Sequence, residues 1–155
     1  MRFRLAALPL WLALAAPGTA PRAQEPAVSV PDVPADTRLL VDMPAEAQAR
    51  MRQDMLDHLA ALNAIVAALG AGDLDAAADT AERQLGRASM GKHRASGMGP
   101  GRFMPLEMRD IGWRMHDAAD AFAAVARKGD ARSALGALQQ VTGACVSCHA
   151  VYRTR

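Results

Sequence analysis

From Pro44 onward, apolar side chains return every three or four positions, the repeat of helices that bury one face. Met51, Met55, Leu59, Leu62 and Val66 mark such a stripe in a first helix. That helix is expected to open at Pro44, with Asp42 as a nearby cap, and to stop at Gly70 and Gly72. Asp73 caps a second helix with a weaker stripe of Leu74, Ala77, Ala81 and Leu85. A third runs from near Pro105 to about Lys128, with Met108, Ile111, Met115, Ala118, Phe122 and Val125 on one side. "KGDARSAL" then repeats the grammar of "AGDLDAAA": Gly129 stops one helix and Asp130 caps the next. The fourth helix starts at Ala131 and turns Leu135, Leu138, Val141 and Ala144 inward. The short connections between helices one and two, and between three and four, predict an all-α, antiparallel four-helix bundle. The middle connection, "GRASMGKHRASGMGPGRFMP", is long and glycine-rich, and a loop of that length in a compact domain often serves function.

The segment before the helices reads differently. Residues 1–23 carry Arg2 and Arg4, then an apolar run, then small residues, the pattern of a secretory signal peptide with cleavage after Ala20 or Ala23. Residues 24–43 follow as a proline-rich, flexible or loosely docked arm with Pro26, Pro31 and Pro34, and residues 44–155 form the helical domain. Export removes Arg2, Arg4 and Arg22 but no acid, so 18 Lys and Arg fall to 15 against 16 Asp and Glu. A chain near −1 offers no case for nucleic-acid binding. It is expected in the periplasm, an oxidising compartment where a bare thiol pair tends to oxidise.

Both cysteines lie in "TGACVSCHAVYRTR", where Cys145, Cys148 and His149 make C-x-x-C-H, the attachment signature of c-type haem. Two vinyl groups on one porphyrin edge need two thiols at a fixed separation, and positions i and i+3 of a helix lie on one side. The adjacent imidazole then serves as the proximal iron ligand. A redox-active C-x-x-C pair normally opens a helix after a strand, and a zinc site needs further Cys or His ligands. Nothing else points to an enzyme: "GMGPGR" lacks the Lys-Ser/Thr of a phosphate loop, and no Ser/His/Asp grouping appears.

With "MRQDM" and "KGDARSAL", "CVSCHAVYR" on the last helix resembles the cytochrome c′ family over residues 44–155. The resemblance implies covalent haem on Cys145 and Cys148, His149 as fifth ligand, and Arg153 as a basic residue beside the haem. It also implies that the first helix covers the other haem face. An apolar residue there leaves five-coordinate iron that binds small gases such as nitric oxide or carbon monoxide. A methionine there gives six-coordinate iron that passes electrons to a redox partner protein. Met55 falls near the family's distal position, with Met51 and His58 as alternatives. Many relatives pair through their first two helices, so the resemblance also implies a homodimer formed there. The long middle connection departs from the family.

That connection brings Met90, His93, Met98 and Met104, which with Met108, Met115 and His116 form a second candidate set of soft ligands, suited to copper(I). Methionines at helical spacing also serve as ordinary core. Trp113 and Phe122 are the large side chains expected near the haem.

Overall fold

A computed structural model describes residues 35–155, and the compact unit spans Asp36–Arg155. The expected signal peptide and the first part of the arm lie outside the described residues. Four helices make up most of this unit: α1 (Ala45–Gly70), α2 (Leu74–Thr80), α3 (Leu106–Ala126) and α4 (Ala131–Val151). The closely packed pairs are consecutive ones: α1 on α2, α2 on α3 and α3 on α4.

Local chemistry sets most helix ends. The Asp73 carboxylate accepts a hydrogen bond from the Ala76 amide, and that of Asp130 accepts from Arg132 and Ser133. Each satisfies amides that the first turn of a helix leaves without partners. Gly72 and Gly129 precede these caps at φ of +77° and +83°, where a β-carbon would be strained. At α1, Pro44 itself stands just before the first helical residue, and no side chain caps the helix, so Asp42 does not play the part expected of it.

After Thr80 the second helix widens into a π-turn (Ala81–Leu85), and three 3₁₀ turns follow at Arg87–Ser89, Arg94–Ser96 and Pro100–Arg102. The long connection is therefore an ordered chain of turns.

The core has two parts. The larger contains Ala61, Ile65, Ala77, Ala78, Ala81, Leu85, Met115 and Phe122, with Leu138 and Val141 of α4. Most of its buried residues are alanines, and small side chains let helix backbones approach closely. This explains where the sequence stripe fails. On α1 the buried positions are Ala47, Met51, Ala61 and Ile65, whereas Leu59 and Val66 are exposed, as is Leu135 on α4. In a helix so rich in alanine, several faces are apolar, and the closest contact selects the small residue over the large one.

The smaller part consists of Val41, Met43, Ala47, Met51 and Met108, with Met55, Met98, Phe103, Met104, Cys148 and Tyr152 packed against it. Its first two members come from the arm. Residues 39–40 form a short strand, β1 (Leu39–Leu40), paired in parallel with β2 (Tyr152–Arg153) after α4. The Val41 amide donates to the Arg153 carbonyl at 2.8 Å. The arm from Asp36 is thus a docked strap, because Val41 and Met43, two positions apart, bury on one side while the backbone pairs with β2.

Candidate cofactor-attachment site

The last two turns of α4 carry Cys145, Cys148 and His149. The thiols stand at i and i+3, on one side of the helix. Cys145 packs against the larger core cluster and Cys148 against the smaller, so the pair spans the junction between them. Burial pushes both thiols above their ordinary range; the neighbouring Cys145 adds to the effect at Cys148. The site also lies at a helix C-terminus, where the dipole disfavours a thiolate. These are neutral thiols at neutral pH, half-covered by apolar side chains.

His149 is exposed, and its backbone is held from the strap: Arg38 Nη1 donates to the His149 carbonyl at 3.3 Å. Arg38 in turn grips Asp36 through Nε at 2.9 Å and Nη2 at 2.7 Å. Arg153 Nε donates to the Arg38 carbonyl at 3.3 Å and lies 3.7 Å from Asp36 Oδ2. Its guanidinium therefore serves the strap in this arrangement. The Arg38 guanidinium also holds the Asp36 carboxyl down at about 2.

On α1, Met51 is buried and Met55 half-buried, and both belong to the cluster that Cys148 touches. His58 is half-buried one turn further on. Its ring meets that of His116 edge-on at 6.2 Å between centroids. His116 Nδ1 donates to the Leu85 carbonyl at 2.6 Å.

Methionine density is what the sequence spacing did not reveal. Of nine methionines in the chain, six (Met43, Met51, Met55, Met98, Met104 and Met108) converge on the cluster beside Cys148. Met43 comes from the strap, and Met98 and Met104 from the long connection; neither segment has a helical period that would have announced it. The alternation of Val41, Asp42 and Met43 was the one available signal.

The soft-ligand set is gathered only in part. Met90 is exposed, His93 bonds to Asp54, Met115 packs in the larger cluster, and Met98, Met104 and Met108 lie in the smaller. Among the described residues, no group of three or more His, Cys, Asp or Glu is arranged to hold a metal ion. Phe122 is fully buried in the larger cluster. Trp113 is exposed, with the Arg109 guanidinium 6.0 Å from its ring centre. No described helix is long and apolar enough to cross a membrane.

Chemically, the arrangement presents two neutral thiols on one side of a helix, an imidazole on the next residue and a wall of thioethers. Comparison with known proteins finds no matching family, no matching curated sequence and no matching solved structure.

Proposed function

We propose that this chain is an exported, periplasmic monohaem c-type cytochrome that passes single electrons to and from a redox partner protein. One observation carries the reading: Cys145, Cys148 and His149 form C-x-x-C-H on the last turns of a helix, with both thiols kept neutral beside apolar clusters. A dithiol redox site needs the opposite, a thiol pKa lowered at a helix N-terminus. Haem c attached through Cys145 and Cys148 would supply one-electron chemistry at its iron.

The chain's own residues then have defined work. Cys145 and Cys148 would hold one edge of the group, and the His149 imidazole would bind its iron. The cluster of Met43, Met51 and Met108 excludes water and lowers the local dielectric, which would disfavour the additional positive charge of an oxidised iron held beside it. Met55 would be the sixth ligand, with Met51 and His58 as alternatives. A thioether there raises the reduction potential.

The test is expression with haem-maturation machinery, followed by mass measurement under denaturing conditions and visible spectra. Wild type should retain one haem mass after denaturation, and Cys145→Ala/Cys148→Ala should lose it. The oxidised protein should be low-spin, and Met55→Ala should become high-spin and bind carbon monoxide faster. Absence of bound haem in wild type would overturn the reading. A wild type already high-spin would make gas binding the better account.

A further inference from the structure

The long connection reaches back across α1 at one place. Lys92 Nζ lies 2.7 Å from Asp54 Oδ1 and 2.9 Å from Asp57 Oδ2. His93 Nε2 lies 2.9 Å from Asp54 Oδ1, and Arg50 Nη1 lies 3.4 Å from His93 Nδ1. Asp54 is unusual in this company. Its side chain is 14 % exposed, whereas every other acid in a described ion pair is at least 42 % exposed. Asp54 is the covered partner, while Lys92 is 42 % exposed, so removing Asp54 releases Lys92 and His93 from α1 and removing both of them strands Asp54. Asp54 also immediately precedes Met55. Beyond the contact point, the same connection turns Met98, Phe103 and Met104 onto the cluster that holds Met51 and that Met55 also joins.

We infer that residues 87–104 are a lid over the methionine face of α1, and that Asp54 is the positioning residue that holds it shut. Lys92 and His93 are the two fastenings, and Met98, Phe103 and Met104 are the covering surface. The lid separates Met51, Met55 and the cluster beside Cys148 from small solutes. Its role in admitting ligands to an iron rests on the cytochrome reading; its role in shielding the methionines does not.

The first test therefore needs no haem. The full chain is treated with dilute hydrogen peroxide, and sulfoxide formation is followed at each methionine by mass spectrometry. In wild type, exposed Met90 should react fastest, and Met55, Met98 and Met104 slowly. Asp54→Ala should speed oxidation at those three by about tenfold, as expected when a partly buried ion pair that limits local opening is removed. Met115, buried in the other cluster, should keep its wild-type rate. Asp54→Glu should restore most of the protection. Lys92→Ala/His93→Ala opens the same lid from its other side and serves if the Asp54 variant folds poorly. Unchanged rates, or a rise at Met115 in step with Met98, would overturn the lid.

The second test measures carbon monoxide association with the reduced, haem-loaded chain. Asp54→Ala should raise the rate severalfold, and Asp54→Glu should return it. An unchanged rate in a haem-bearing protein would remove the access role. A chain that takes up no haem would defeat the cytochrome reading while the methionine result stood.

Discussion

Replacing Gly86 by alanine tests how the π-turn hands the chain to the lid. Gly86 is buried at the end of the turn, with φ −71° and ψ −178°, a backbone conformation that alanine adopts without strain. The obstacle is space. A β-carbon there would stand 2.6 Å from the Glu82 carbonyl oxygen and far inside contact with the Asp120 carboxylate. Asp120 Oδ2 accepts the Arg87 amide at 3.2 Å, so swinging it away breaks a hydrogen bond to a charged group, at a cost of about 1.5–3 kcal/mol. The Glu82 carbonyl belongs to the turn itself and yields only if the turn distorts, which adds roughly 1–3 kcal/mol. Gly86→Ala should therefore destabilise the domain by about 3 kcal/mol, read as a lower urea midpoint at unchanged slope. Gly136→Ala is the control: nothing lies within 4 Å of its β-carbon, it sits inside α4, and it should stabilise by about 0.5–1 kcal/mol. In an Asp120→Ala background, the cost of Gly86→Ala should fall by about half, leaving a coupling of roughly 1–2 kcal/mol. A loss below about 0.5 kcal/mol, or additivity with Asp120→Ala, would refute the steric argument.

Two further outcomes are expected. Burial, and then the charge of His116, lowers the pKa of His58, which also faces Asp54, Asp57 and Lys92. The folded state thus prefers neutral His58: its contribution is complete above pH 6.5 and is lost as pH falls below that, by at most about 1.4 kcal/mol per unit, so His58→Gln should flatten an acid limb in stability measured from pH 7 to 5. Phe122→Ala empties a fully buried site in the larger cluster and should cost about 3–5 kcal/mol in urea unfolding; a loss under about 1 kcal/mol would mean that the cluster collapses around the gap.

Much of this architecture can be read from punctuation. Asp73, Pro105 and Asp130 mark helix starts because capping is local chemistry, and Cys145, Cys148 and His149 share one segment for the same reason. What stayed hidden depends on partners far along the chain. The apolar stripe on α1 misplaced Leu59 and Val66, since alanine gives several faces equal claim to the core. The π-turn at Ala81–Leu85 left no mark in an amphipathic pattern. Met98 and Met104 looked like loop ligands because nothing local says that Lys92 finds Asp54. The sixth-ligand candidates were restricted to one helix, whereas the cluster that Met55 joins draws on the strap, the lid and α3 as well.

The strap has a temporal consequence. Arg38 and the His149 carbonyl are separated by 111 residues, and β1 meets β2 over a similar distance. Closing a loop of that length in an unfolded chain costs about 4 kcal/mol of entropy, more than two short strands return. The seal therefore forms late, after the helices have already brought the two segments together. Until then Cys145, Cys148 and His149 remain on an unfastened helix end, within reach of any machinery that must modify them. Once the strap is down, the same end is tied at the His149 carbonyl, and Val41 and Met43 complete the cluster against which Cys148 packs; on the proposed reading, attachment would therefore precede closure.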